Sequence, residues 1–198
     1  MTIQRLTNEA CALLFTEAHT ANAWKNKEVS NDLLKEVYNL MKLAPTEANT
    51  CPLRVIFVQS KSAKEKLKPC LSTGNIEKAM SAPVTAIFAQ DMMFYEHMPR
   101  LFPHNPAARS WYEGDDAAIR HAAFLNSSLQ AGYFMLAARG LGLDCGPMGG
   151  FDAEKLDAAF FPEGRYKSNF LCNLGYADPA GTKPRAPRLD FEEVCDIL

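Results

Sequence analysis

Four short stretches of this 198-residue chain carry residue types that can bind a ligand. His19-Thr20-Ala21-Asn22 puts an imidazole, a hydroxyl and a carboxamide side by side. Pro45-Thr46-Glu47-Ala48-Asn49 ends on a side chain that both donates and accepts. Pro147-Met148-Gly149-Gly150 ends on a glycine pair, which lets backbone approach a planar surface closely. Lys183-Pro184-Arg185 supplies two cations, and a guanidinium fork suits a phosphate. Taken singly, each has a plain structural reading: a helix stop, a loop before a cap, a solvated tail.

Other chemistries find little support. Gly140, Gly142 and Gly146 are spaced GxGxxxG and follow a helical pattern. A dinucleotide-binding turn instead needs strand, glycines, then helix. The chain has no P-loop, GxSxG elbow or HExxH pair. His97, His104 and Asp91 fit no standard metal-ligand spacing, so no metal is expected. The cysteines at 11, 51, 70, 145, 172 and 195 form no CxxC pair, and Cys51 reads as a small hydrophobe rather than a nucleophile. No acid–base pair or nucleophile stands out.

The elements that must position these stretches follow from periodicity and caps. Leu6–Ala18 has helical spacing, and Ser30 caps a second helix that Pro45 stops. Arg54–Gln59 and Val84–Ala89 read as buried strands, and Phe170–Tyr176 as a third. Ser62 and Glu65 make a capping box opening a helix to about Leu71. Phe94–Tyr112, rich in aromatics, Pro, His and Arg, reads as a long loop with the character of a lid. Asp115–Arg139 is the longest helical pattern, with Gly140 placed to end it in the left-handed conformation. Asp152 caps a short helix to Phe160, and Asp190 with Glu193 caps a last one. No repeat or low-complexity linker divides residues 1–198, so one α+β domain is expected.

The formal charge of −2 and the scattered basic residues give no long-range pull on nucleic acid or an acidic membrane. The N-terminal stretch MTIQRLTNEACALLF does not read as an export signal, and no apolar run is long enough to span a bilayer. Free thiols and these absences together point to a cytoplasmic protein.

In order and spacing, the chain resembles the nitroreductase family over about 190 residues. The resemblance rests on the four stretches above and on LSTGN at 71–75, LFPH at 101–104 and ARSW at 108–111. It rests also on NSSLQA at 126–131, the Gly142–Met148 segment and PRLDFEE at 187–193. It is similar above all to the subfamily that includes malonic semialdehyde reductases of pyrimidine breakdown. The resemblance implies a mostly antiparallel central sheet surrounded by helices, a domain-swapped type of homodimer, and a noncovalent FMN at the dimer interface. It implies hydride transfer from NADH or NADPH through flavin N5, by ping-pong, to a nitroaromatic, a quinone or an aldehyde such as malonic semialdehyde. His19, Thr20, Asn22, Pro45, Thr46, Asn49, Pro147, Met148, Gly149, Gly150, Lys183 and Arg185 fall on its cofactor-binding positions. The chain departs from the family at Ala18, His19 and Asn22, where basic residues are common, so Lys183 and Arg185 would carry most of the phosphate charge. Phe102 and Trp111 would wall the acceptor pocket, with Arg109 meeting an acceptor carboxylate. The alternatives are a flavin-binding protein without turnover and an α+β interaction module without flavin.

Overall fold

The computed structural model describes residues 5–198. The first four residues, part of the N-terminal stretch read above as no export signal, lie outside them. A four-stranded antiparallel sheet forms the centre, in the order β1-β2-β4-β3. The strands are β1 (Leu53–Val58), β2 (Val84–Asp91), β3 (Asp144–Met148) and β4 (Tyr166–Gly175). The helices are α1 (Asn8–Cys11), α2 (Asn31–Met41), α3 (Lys61–Leu67), α4 (Thr73–Ser81), α5 (Met98–Leu101), α6 (Asp116–Gly140), α7 (Ala153–Phe160) and α8 (Phe191–Val194). This is the α+β arrangement expected, and the three expected strands are all present.

One side of the sheet carries α2 and α6. There Val37, Met41, Phe134 and Ala138 pack on Phe88, Cys172 and Leu174. The other side carries α3 and α7, with Leu67, Leu156 and Phe161 packed on Ile87 and Leu171. Covering both faces explains why β2 and β4 read as continuous apolar runs rather than alternating ones. A third cluster unites Phe94, Met98, Ala108 and Tyr112 with Ile119 and Ala123 of α6. The expected long loop is therefore a packed subassembly of short helical turns, Phe94–His97, Met98–Leu101 and Pro106–Trp111.

Several local expectations are corrected. Ser60, not Ser62, caps α3 by accepting from the Ala63 N–H at 3.2 Å, and the α-helix ends at Leu67 before a 3-10 turn containing Pro69. Gly140 is the last residue of α6, while Gly142, at φ +80°, takes the left-handed position. The segment Asp144–Met148, read as loop, is an edge strand, where a proline costs no ladder bond on its free side. The helix α4 was not foreseen. Among the described residues no helix is long and apolar enough to cross a membrane, and no group of side chains is arranged to hold a metal ion.

A long helix that is apolar on every side belongs in a buried position. In the single chain α6 buries Ala123, Phe134 and Ala138 but leaves Phe124, Leu125, Leu129 and Tyr133 exposed. The C-terminal segment likewise exposes Leu189, Phe191, Val194 and Ile197.

Candidate functional site

The C-terminal stretch folds back onto the start of the chain. One Arg185 nitrogen donates to the carbonyls of Phe15, Thr16 and Ala18 at 3.3, 2.8 and 2.9 Å. Beside this clasp lies a cavity of about 450 Å³ lined by His19, Thr20 and Asn22 together with Arg139, Lys183, Arg185 and Arg188. No carboxylate among the described residues lines it. Among the described residues none of its Lys or Arg side chains is ion-paired. Cations gathered without counter-charge make a local positive potential that favours an anion. Two of the four stretches, more than 160 residues apart, thus meet in one basic cavity.

The 18–24 segment is held against β3. The Ala21 N–H donates to the Cys145 carbonyl at 3.0 Å, and Thr20 bridges Cys145 in parallel. Asn22 turns its amide back to the Thr20 carbonyl at 3.1 Å. Close approach here requires Gly146: a Cβ at that position would lie 2.6 Å from the Ala21 carbonyl oxygen and 3.3 Å from the Trp24 ring. Backbone cannot swing aside as a side chain can, so Gly146→Ala should displace the segment that forms one wall of the basic cavity. We predict a loss of about 1–3 kcal/mol in urea unfolding, as for other overpacked sites. An unchanged midpoint would show that the segment yields freely.

The third stretch leaves β3 at its end. Met148 is buried in the core beneath the sheet, so only its backbone is offered to a ligand, and Pro147 is half-buried. Gly149 is exposed, and a Cβ built there meets nothing within 4 Å. Gly150 is gripped by α4, its carbonyl accepting from Ser72 N–H at 3.1 Å and Asn75 Nδ2 at 2.7 Å. Asn75 is therefore a positioning residue that motif reading passed over, although it closes the LSTGN stretch.

The remaining stretch, Pro45–Asn49, is a strained turn. Ala48, Asn49 and Cys51 adopt φ of 43°, 53° and 42°, the left-handed region that side chains disfavour. Thr46 Oγ1 accepts from the Cys51 N–H at 3.2 Å, and Asn126 Oδ1 accepts from the Glu47 N–H at 2.8 Å. The exposed Asn49 donates to the Leu101 carbonyl at 2.8 Å and accepts from the Cys51 thiol at 3.2 Å. Pro45 is exposed at the head of the turn. Asn49, Cys51 and Leu101 line a separate groove of about 990 Å³ between α2 and β1, not the basic cavity. One chain therefore divides the expected residues between two places.

A family model for nitroreductases matches residues 18–176. The chain belongs to the nitroreductase family. It is 57% identical over 185 residues to a Ralstonia nicotianae protein provisionally named NADH dehydrogenase/NAD(P)H nitroreductase, covering 93% of this chain and 94% of that one. A Polynucleobacter asymbioticus protein with the same provisional name is 52% identical over 193 residues, covering 98% of each. Among solved structures, a provisionally named nitroreductase in complex with FMN from Exiguobacterium sibiricum superposes with a TM-score of 0.86 at 21% identity, covering 100% of both chains. That last likeness establishes the nitroreductase fold.

The expected acceptor residues are placed unevenly. Phe102 is half-buried with its ring 3.9 Å from His104 and 6.3 Å from the exposed Trp111. Arg109 is already engaged: its Nη2 meets Glu113 Oε1 at 2.5 Å, and that hydrogen bond raises its pKa further. That contact engages one nitrogen of a half-exposed pair, so an acceptor carboxylate would compete with Glu113 for Arg109. Neighbouring Tyr112 is buried, and desolvation, reinforced by the Glu47 carboxylate, pushes its hydroxyl up to about 12. It stays protonated at any ordinary pH.

Proposed function

We propose that this protein is an FMN-dependent NAD(P)H oxidoreductase acting on a small electrophile: a nitroaromatic, a quinone or an aldehyde of the malonic semialdehyde type. The carrying observation is the carboxylate-free basic cavity, in which the 19–22 stretch meets Lys183 and Arg185. Such a cavity fits a phosphate dianion, and the open space over Gly149 fits a planar ring approaching backbone. Lys183 and Arg185 would hold the phosphate and Thr20 would donate its hydroxyl. The Gly149 N–H would point at the ring, with Asn75 fixing the Gly150 carbonyl one residue on. A bound FMN would supply the redox chemistry, taking hydride from NADH or NADPH and passing it to the acceptor. Phe102 and Trp111 would shield the reacting face from water.

The reading includes a homodimer, because Asn49 belongs to another cavity than Lys183 and Arg185. The exposed apolar side of α6 supports it. So does the free edge of β1, whose groove is rimmed by Lys35, Lys42, Arg54 and Arg100. The C-terminal segment has matching chemistry, with Leu189, Phe191, Val194 and Ile197 among Asp190, Glu192, Glu193 and Asp196. A second copy's C-terminal segment laid along this groove would exchange between protomers and bring Asn49 of one to the flavin of the other.

The test is direct. The purified protein, supplied with FMN, should sediment as a yellow dimer whose visible absorbance bleaches anaerobically on adding NADH or NADPH and returns with a quinone. Colourless protein that takes up no FMN ends the proposal; a yellow monomer removes only its dimeric part.

A further inference from the structure

We propose that Arg139, at the last turn of α6, is a phosphate-binding residue that replaces basic side chains missing from the 18–22 stretch. The inference rests on the FMN reading above and names a residue that no motif assigned. The stretch itself is poor in charge, carrying Ala18, His19 and Asn22. Asn22 has its amide turned back on the Thr20 carbonyl. Arg185 spends one nitrogen on three main-chain carbonyls, which anchors the C-terminal stretch but leaves fewer of its N–H groups for a ligand. The cavity therefore needs another donor of fixed position.

Arg139 meets that need from a different direction. It lines the same cavity, yet comes from a 25-residue helix packed on the sheet rather than from either chain end. Its Nη1 donates to the Leu14 carbonyl at 3.2 Å, which orients the guanidinium plane. It has no carboxylate partner among the described residues, so its charge is not already answered. A helix C-terminus stabilises an adjacent cation, so the charge can be kept there at little cost. An arginine so held offers its remaining N–H groups to a phosphate without first giving up the rotamer freedom a solvated arginine loses.

Equilibrium binding of FMN and of riboflavin, which lacks the phosphate, to the apoprotein and to Arg139→Met separates the possibilities. The expected result is FMN binding weakened about tenfold or more in the variant, with riboflavin binding unchanged. Arg139→Lys should recover part of the loss, since it restores the charge without the fork. A purely structural role, through the Leu14 carbonyl, would weaken both flavins alike and overturn the proposal. So would an FMN affinity that Arg139→Met leaves untouched. Wild-type protein that binds neither flavin would instead overturn the FMN reading, and this inference with it.

Discussion

Asp91→Ala is expected to cost about 3–5 kcal/mol of folding stability and to loosen the turn that carries Asn49. Asp91 is fully buried at the end of β2, where its two oxygens take four donors. Arg54 Nη2 lies at 2.6 Å, Arg165 Nε at 2.8 Å and Nη2 at 3.0 Å, and the Met93 N–H at 2.9 Å. Removing the carboxylate strands two guanidinium groups that face each other across the site, and adds repulsion to lost hydrogen bonds. The damage spreads through Arg54, whose other nitrogen donates to the carbonyls of Cys51 and Leu53 at 3.1 and 2.9 Å. Freed from Asp91, that side chain has no reason to keep its grip on the left-handed turn. Urea unfolding gives the stability change. Hydrogen exchange at residues 46–51 should show the loosening even where the protein stays folded. A cost below about 1 kcal/mol would mean that Glu96, which already meets Arg165 at 2.9 Å, takes over the vacated position.

How much of this was legible beforehand differs between fold and site for physical reasons. β2 and β4 announce themselves because both faces are covered, which makes the apolar runs unbroken. The β3 strand hides because Gly146 and Pro147 have poor strand propensity. It forms because the sheet edge tolerates a proline and because the 18–24 segment needs a glycine to pack against. The helix α4 hides because TGNIEKAMS carries only a short apolar stripe, Ile76, Ala79 and Met80, of which Ala79 alone is fully buried. Of the site, the types and order of residues were visible, and so was the family. What no spacing reveals is which residues meet. Arg139 looks like an ordinary helix-end cation, and Asn75 like a turn residue, until the fold brings them beside stretches remote in sequence. Arg109 adds a detail that its type alone does not carry: in the single chain Glu113, four residues on, already meets its guanidinium.

The second large effect concerns pH. Wild-type protein should gain about 3 kcal/mol of stability relative to Lys64→Met as pH rises from 7.5 to 10.5. Lys64 is 4% exposed, and its ammonium donates to the Ala79 carbonyl at 2.6 Å and Thr85 Oγ1 at 2.8 Å. Thr85 in turn donates to Asn173 Oδ1 at 2.7 Å, in a buried chain that ends near Met148. None of these partners carries negative charge, so burial lowers the lysine from 10.5 to about 8. The sign follows from proton counting. Below pH 8 both folded and unfolded chains hold the proton, and the folded state bears the full cost of a buried charge. Between 8 and 10.5 the unfolded chain binds the proton and the folded chain does not, so stability climbs with pH. Above 10.5 both are neutral and the cost is gone. A neutral amine still donates two hydrogen bonds, which suffices for both partners. Tyr112 works in the reverse sense at the alkaline end, but equally in both proteins, so the difference between them isolates Lys64. Urea midpoints that run parallel for the two proteins across this range would show that the ammonium is solvated in the folded state after all, and that the Lys64–Thr85–Asn173 chain is wetter than its geometry implies.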